Sequence, residues 1–142
     1  VISLSFNDYG GRAIFEGFVE TLQVNSDNAL VREILNKKVD GSVLVVDGGA
    51  SFQTALLGGN LATLAESTGW AGIVIYGCVR DIHEIKLVDI GCKALGSIPR
   101  KSKKDGAGRR DVELRIADVL IKPGYYIYCD LDGIVVSNKR LV

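Results

Sequence analysis

The chain has 142 residues, 47% of them hydrophobic, and its 17 basic and 17 acidic residues leave a formal net charge of zero. This composition supports one domain spanning residues 1–142 with a core that needs no disulfides, and it argues against nucleic acid or a membrane surface as a partner. The three cysteines lie in apolar, strand-like runs without a C-x-x-C spacing, and we expect buried thiols in a cytoplasmic protein. No apolar run reaches the roughly 18 residues of a membrane span, and these residues contain no signal peptide.

Strands and a helix alternate in the first third of the chain. Residues 12–24 predict a strand pair or one long bent strand, and Asn25-Ser26-Asp27 then offers side-chain oxygens that can cap a helix. The apolar residues after this cap have helical spacing, at Leu30, Ile34 and Leu35. Residues 43–46 are continuously apolar, which predicts a buried strand ending in a turn at Asp47-Gly48-Gly49.

The middle third predicts a helix, a buried strand and a short second helix. Residues 54–68 are interpreted as a helical segment that is broken or started at Gly58-Gly59, and Gly69 is a suitable residue to end it. Residues 71–78 are continuously apolar and predict a strand that leads directly into Arg80-Asp81. A short helix is expected after this pair because apolar residues recur at Ile82, Ile85, Leu87 and Val88.

The last third is rich in predicted strands, at residues 93–98, 112–116, 125–129 and 134–136. Pro99 stops the first of these strands, and residues 100–110 form a basic, glycine-containing loop. Turns are predicted at Pro123-Gly124 and at residues 130–133. We therefore predict one α/β domain with a parallel α/β core and flanking antiparallel strands.

Two of the predicted turns follow buried strands, at Asp47-Gly48-Gly49 and at Arg80-Asp81. Ligands of open α/β sheets bind outside the carboxyl ends of the strands. Gly58-Gly59-Asn60-Leu61 opens a helix nearby in the sequence, and free N–H groups at a helix start favour an anion such as a carboxylate. The alternative is a helix-starting turn without a ligand, and the spacing fits neither a P-loop nor a dinucleotide-binding fingerprint.

Arg80 and Asp81 are the strongest candidates for chemistry. The Arg80 guanidinium can pair with a carboxylate, and Asp81 is a hard oxygen ligand suited to Mg²⁺ or Mn²⁺. Glu84 is expected to face the same side if a helix begins at Ile82. The alternative is a solvated pair at a strand end. Because adjacent residues usually point in different directions, we expect Arg80 and Asp81 to act separately rather than as a mutual ion pair.

The only histidine and the only basic cluster are both interpreted as solvent-exposed features without a catalytic role. His83 is predicted to be a surface residue, since a single histidine excludes a histidine-rich metal site and no nucleophile motif accompanies it. The loop over residues 100–110 could contact RNA or an acidic protein, but it lacks interleaved aromatic residues and is interpreted as solvated.

These residues, in this order, resemble the RraA-like family, which includes the 4-hydroxy-4-methyl-2-oxoglutarate aldolases. Gly59 is separated by twenty residues from Arg80-Asp81, and Glu84 follows after two more, which matches the pattern of the aldolase branch. Further similar segments are Gly10-Gly11-Arg12, residues 43–49, residues 69–72, residues 76–81, residues 99–102 and residues 132–135. The resemblance covers nearly the whole chain. Family members usually carry a helical segment before it, and we expect that segment to be absent here.

The resemblance implies a swivelling β/β/α fold and a ring-shaped homotrimer, or a dimer of such trimers, with active sites near subunit interfaces. It also implies that Gly58, Gly59, Asn60 and Leu61 bind a pyruvate carboxylate through backbone N–H groups, with Arg80 contacting the substrate. Asp81 would hold a divalent cation, Mg²⁺ or Mn²⁺, largely completed by water, and Glu84 could act on it through water.

The implied activity is metal-dependent cleavage of 4-hydroxy-2-oxo acids, together with decarboxylation of oxaloacetate. Both reactions produce a pyruvate enolate, whose charge a divalent cation stabilises. The base that removes the proton of the C4 hydroxyl stays open between a polarised water, Glu84 and a carboxylate of a neighbouring subunit.

The alternative function is that of a non-catalytic regulator that binds and inhibits ribonuclease E, with a ribonuclease or helicase as partner. The presence of Asp81 favours the enzyme. A methyltransferase is not supported, because no glycine motif for S-adenosylmethionine is found.

Overall fold

Residues 1–141, which the computed structural model describes, form eleven strands and three helices. In chain order these are β1 (Asn7–Asp8), β2 (Phe15–Gln23), α1 (Ala29–Leu35), β3 (Val43–Asp47), β4 (Ala55–Leu57), α2 (Gly59–Thr68), β5 (Gly72–Val79), α3 (Ile82–Ile85), β6 (Gly91–Ser97), β7 (Arg109–Arg110), β8 (Leu114–Ile116), β9 (Val119–Ile121), β10 (Tyr126–Asp130) and β11 (Gly133–Ser137). No helix of this part of the chain is long and apolar enough to cross a membrane.

Four parallel strands form the centre of the sheet, in the order β6-β5-β3-β2. Antiparallel strands flank them, with β1 beside β6 and the β10–β11 hairpin beside β2. Residues 43–46 are fully buried, as their continuous apolar run predicted, because layers cover both faces of the sheet. The predicted parallel core with antiparallel flanks is therefore confirmed.

Successive side chains of β3 point to opposite faces of the sheet, so they pack into two separate hydrophobic cores. Leu44 and Val46 pack into the core that includes the apolar faces of α1 and α2. Val43 and Val45 point to the opposite face and pack against residues of β8, β9, β10 and β11. Two β layers and one helical layer thus result, in agreement with the implied β/β/α fold.

Residues 15–23 form one long strand that changes partner, which decides between the two predicted alternatives. Residues 15–18 pair antiparallel with β10, and from Val19 onward β2 pairs in parallel with β3. The strand thereby connects the parallel core to the hairpin layer.

The segment over residues 54–68, predicted to be a helix that is broken or started at Gly58-Gly59, is helical only from Gly59 onward. Before the glycine pair, Ala55–Leu57 is strand β4 and pairs in parallel with the end of β5. All three of its residues are buried, and periodicity cannot separate so short an apolar run from a helical turn. Helix α2 starts at Gly59, and Gly69 ends it with φ 98°, as predicted.

Candidate active site

The carboxyl end of β5 meets the amino end of α2 because β4 lies beside β5. The N–H of Arg80 donates to the carbonyl of Leu57 at 2.9 Å, directly before the glycine pair. The N–H of Gly59 in turn donates to Oδ2 of Asp81 at 3.1 Å. Residues 22 positions apart in the chain are thereby placed in hydrogen-bond contact, and the predicted glycine turn and the Arg80-Asp81 pair form one site.

The start of α2 presents backbone donors rather than a side-chain cap. Gly58 is extended, with φ −124° and ψ −174°, and no side chain caps the helix. The N–H of Ala62 donates to the carbonyl of Gly58 at 3.1 Å, and that of Gly59 is taken by Asp81. Within the described residues, the N–H groups of Asn60 and Leu61 have no acceptor. These two donors are suited to the carboxylate of a small acid.

Arg80 and Asp81 form a direct ion pair, which corrects the expectation that they act separately. Nη1 of Arg80 lies 3.1 Å from Oδ2 of Asp81, and both side chains are about one-third exposed. Asp81 has left-handed backbone angles, φ 58° and ψ 44°, which turn the chain sharply and bring the neighbouring side chains together. The pair therefore remains accessible while being fixed against Gly59.

Glu84 lies on the same side as Asp81, as predicted for a helix that begins at Ile82. A Cβ atom added to Gly59 would run into the Glu84 carboxylate, and one added to Gly58 would lie 2.8 Å from Oδ2 of Asp81. Two carboxylates thus flank the glycine pair closely, and any side chain at either glycine would displace them. This is a physical reason for glycine at both positions.

A cavity of about 150 Å³ opens beside the ion pair, lined by Arg80, Asp81, Ile82, Ser97, Ile98 and Pro99. Ser97 is the last residue of β6, the strand next to β5, and Ile98 and Pro99 follow it in the chain. Sequence reasoning did not assign them to the site, although the rule that ligands bind at the carboxyl ends of strands applies to β6 as well.

A second cavity, with a volume of about 590 Å³, lies elsewhere. Asp47, Gly48 and Gly49 line it together with Arg109, and it shares no lining residue with the cavity at Arg80. The two strand ends selected from the sequence are therefore separate in space. Only the strand end at Arg80-Asp81 has both the ion pair and the glycine turn beside it.

The donor set at the site fits a hard divalent cation in part. Asp81 and Glu84 supply carboxylate oxygens, the ligand type preferred by Mg²⁺ and Mn²⁺. Within residues 1–141, no three His, Cys, Asp or Glu side chains are grouped to hold a metal ion. A cation here would take Asp81 as its protein ligand and complete its shell with water or with a group from another subunit, which suits Mg²⁺ because it retains several waters.

The other candidate side chains lie outside this arrangement. His83 is exposed on α3, as predicted. Cys78, Cys92 and Cys129 are buried free thiols, also as predicted. Burial, with a smaller contribution from Asp8, raises the pKa of Cys92 to about 12, so this thiol is not a nucleophile at neutral pH.

These features define a β/β/α protein with a small pocket, beside the Arg80–Asp81 ion pair, at the carboxyl edge of its parallel strands. The chain belongs to the RraA-like family, described as Aldolase/RraA, whose sequence model matches residues 2–136.

Three similar proteins illustrate the range of names within this family. A Thermus thermophilus protein named 4-hydroxy-4-methyl-2-oxoglutarate aldolase is 50% identical over 134 residues, covering 94% of this chain and 82% of that protein. A crystal structure of a Geobacillus kaustophilus protein named S-adenosylmethionine: 2-dimethylmenaquinone methyltransferase has a TM-score of 0.97 and 50% identity, covering 99% of this chain and 88% of that one. The RNA-processing inhibitor RraA from Thermus thermophilus has a TM-score of 0.95 and 48% identity, covering 96% of this chain and 84% of that one.

Proposed function

We propose that this protein is a divalent-metal-dependent lyase that cleaves 4-hydroxy-2-oxo acids, of the 4-hydroxy-4-methyl-2-oxoglutarate aldolase type, and that decarboxylates oxaloacetate. The observation that carries the proposal is the contact of Asp81 with both Gly59 and Arg80. It places the anion-binding turn beside the Arg80 guanidinium and beside a carboxylate of the type that binds divalent metal ions. The similar Thermus thermophilus protein named as an aldolase supports it.

The substrate's 2-oxo acid end would bind between α2 and Arg80. The free N–H groups of Asn60 and Leu61 donate to the carboxylate, with Gly58 and Gly59 allowing close approach of the backbone. Arg80 directs its guanidinium toward the 2-oxo oxygen, where negative charge develops. A bound Mg²⁺ or Mn²⁺ held by Asp81 supplies Lewis-acid stabilisation of that same charge.

Cleavage then requires one proton acceptor and one proton donor. The C4 hydroxyl loses its proton, the C4–O bond becomes a carbonyl, and the C3–C4 bond breaks with its electron pair passing into the pyruvate enolate. Protonation at C3 releases pyruvate, so atoms and electrons balance without an external oxidant or reductant. In oxaloacetate, loss of carbon dioxide generates the same enolate. The Glu84 carboxylate lies against Gly59, and Glu84 is therefore the first residue to test as the base.

The protein is further proposed to act as a homotrimer or a dimer of trimers. The described residues contain no complete metal-ligand set, so a neighbouring subunit is one source of the missing groups. Light scattering coupled to size exclusion measures the assembly directly. A monomer that is fully active at assay concentration would contradict the shared site.

The deciding experiment measures pyruvate release from 4-hydroxy-4-methyl-2-oxoglutarate and from oxaloacetate, with Mg²⁺ and then with EDTA. A reaction without protein gives the metal-only background for oxaloacetate, and Asp81→Asn gives the matched protein control. Turnover that EDTA and Asp81→Asn both remove supports the proposal. Turnover no greater than the background, with folded protein, would overturn it.

The second candidate is a regulator that binds ribonuclease E without catalysis. The observation favouring it is the similarity to the RNA-processing inhibitor from Thermus thermophilus. Inhibition of purified ribonuclease E by both the wild-type protein and Arg80→Ala, in the absence of pyruvate release, would support this alternative over the enzyme.

A further inference from the structure

We propose that the cavity of about 590 Å³ at the carboxyl ends of β2 and β3 is a second ligand site, and that it takes a zwitterionic amino acid. Arg109 binds the carboxylate of this ligand and Asp47 binds its ammonium group. The inference is independent of the proposed lyase activity, because the cavity shares no lining residue with the one at Arg80.

Arg109, Gln23 and Asp47 form a row across three neighbouring strands. Gln23 of β2 is the register partner of Asp47 in β3 and of Arg109 in β7. Directly opposite residues of paired strands point to the same face of a sheet. The next residues along the chain agree, since Val46 packs into the helical core and Arg110 forms an ion pair with helix α1. The three side chains of the row therefore point away from the helices and toward one another's side of the sheet.

The charges of Arg109 and Asp47 face the same cavity without neutralising each other. Two strand spacings, about 10 Å, separate their backbones, and the Gln23 amide lies between them. Neither residue has an ion-pair partner among the described residues. Oδ1 of Asp47 accepts the N–H of Gly49 at 2.8 Å, which leaves Oδ2 for a ligand. A molecule that carries both charges can therefore bridge the row.

The carboxylate end of the site is built on a fixed segment of the basic loop. The buried Asp27 carboxylate accepts the N–H of Ala107 at 3.2 Å, which anchors the backbone that leads to Arg109. A Cβ atom added to Gly108 would lie 2.8 Å from the carbonyl oxygen of Gln23, so glycine lets this backbone lie close against β2. The N–H of Gly108 has no acceptor within residues 1–141. A carboxylate can accept from this N–H and from the Arg109 guanidinium, and donors that are already in place lower the cost of binding.

The remaining lining of the cavity favours a zwitterion over a simple ion. A plain anion at Arg109 would be repelled by Asp47, and a plain cation at Asp47 would be repelled by Arg109. The side-chain amides of Gln23 and Asn25 and the hydroxyl of Ser51 can each donate and accept hydrogen bonds with polar groups of the ligand. The volume is within the usual range for small-molecule pockets, so it accommodates the side chain of an amino acid as well as its two charged groups.

The test measures binding of the common L-amino acids, first by thermal shift and then by calorimetry. At least one is expected to bind with a Kd below about 1 mM. Its N-acetyl derivative, which lacks the ammonium group, and its α-carboxamide, which lacks the carboxylate, should each bind about 10- to 100-fold more weakly. Asp47→Asn should remove the preference over the N-acetyl derivative, and Arg109→Gln should remove the preference over the carboxamide. Arg115→Gln, at an exposed arginine of β8, is the matched control and should change neither preference.

Three results overturn the site. The first is that no amino acid binds to the folded protein in this range. The second is that an amino acid binds but Asp47→Asn and Arg109→Gln leave both preferences unchanged. The third is that Arg80→Ala, rather than these two variants, abolishes binding, because the ligand then lies in the Arg80 pocket. Pyruvate release enters none of these measurements, so failure of the lyase proposal and failure of this site are distinguishable.

Discussion

Nη1 of Arg80 lies 3.1 Å from Oδ2 of Asp81, and the same oxygen accepts the N–H of Gly59. One carboxylate oxygen therefore joins the end of a parallel strand to the start of a helix. The guanidinium is held against Gly58, where a substrate carboxylate would bind. This arrangement makes the roles of the individual residues separable by mutation.

Arg80→Ala should reduce kcat for pyruvate release by about 10²- to 10³-fold, the usual cost of removing one donor to a developing negative charge. Arg80→Lys should recover only part of this loss because an ammonium cannot reproduce the planar guanidinium fork. The thermal midpoint should change little, since the side chain is about one-third exposed. Unchanged kinetics in Arg80→Ala would remove this residue from the mechanism.

Asp81→Asn should weaken binding of Mn²⁺ by about 10- to 100-fold, because a neutral amide replaces the charged oxygen ligand. Electron paramagnetic resonance of free Mn²⁺ measures this affinity without any assay of turnover. Asn still offers an oxygen to the Gly59 N–H, so the fold should persist. Glu84→Gln is the companion variant: a loss of activity with normal Mn²⁺ affinity would assign Glu84 to proton transfer rather than to the metal.

Gly59→Ala should destabilise the protein by about 1–3 kcal/mol, the usual range for overpacking. The added Cβ meets the Glu84 carboxylate and lies 2.9 Å from its Cβ, so α3 has to shift relative to α2. Gly77→Ala in β5 is the matched control, since its nearest neighbour would be at an ordinary 3.5 Å. Urea unfolding measures both. Equal stabilities of the two variants would contradict the close approach at Gly59.

Asp27 is expected to be the main anchor of the basic loop. Its carboxylate is fully buried and accepts the N–H groups of Ala29, Asp105, Gly106 and Ala107. Asp27→Asn should cost about 3 kcal/mol at neutral pH, because an amide cannot accept all of these buried donors. Hydrogen exchange should accelerate at residues 105–107. Asp40→Asn, at an exposed carboxylate, should change neither quantity.

The pH dependence of this effect has a definite sign. Burial alone would raise the pKa of Asp27, but the four backbone donors outweigh it and hold the pKa below its ordinary value. The stabilisation is therefore complete above the unfolded-state pKa of about 3.9 and is lost as the pH falls through the folded-state value. Wild type and Asp27→Asn should thus converge in stability below about pH 4. A constant difference between about pH 7 and about pH 3 would contradict the assignment.

The buried thiols should resist modification in the native protein. Burial raises the pKa of both Cys92 and Cys129 to about 12, so almost no thiolate is present at about pH 8. A chromogenic disulfide reagent should label neither residue within minutes in buffer and should label both in denaturant. Rapid labelling of either one in the native protein, identified by mass spectrometry, would place it at an accessible site instead.

The sequence predicted the elements whose patterns are strong. Residues 43–46 and 71–78 were expected to be buried strands because they are continuously apolar, and residues 112–116 to have one wet face because they alternate. The structure agrees in each case, since Arg115 is exposed between buried Leu114 and Ile116. The short strands β1, β7 and β9 were missed because two or three residues carry no usable periodicity.

For the candidate site, the sequence supplied the residue types and their order, and resemblance to the family supplied their grouping. Gly59, Arg80, Asp81 and Glu84 were all named from the chain alone. Their predicted roles still await the experiments above. The expectation that Arg80 and Asp81 act separately was wrong. It rested on the usual divergence of adjacent side chains, whereas the left-handed backbone of Asp81 brings these two together.

By itself, the sequence determined which segments are apolar enough to form the core and where glycines and charged residues interrupt them, because these are local properties of the chain. Only the tertiary structure decided that Gly59 touches Asp81 and that Ser97 lines the same cavity as Arg80. These contacts depend on the parallel alignment of β4, β5 and β6. Pairing between distant strands is set by the packing of the whole sheet and leaves no pattern in any one segment.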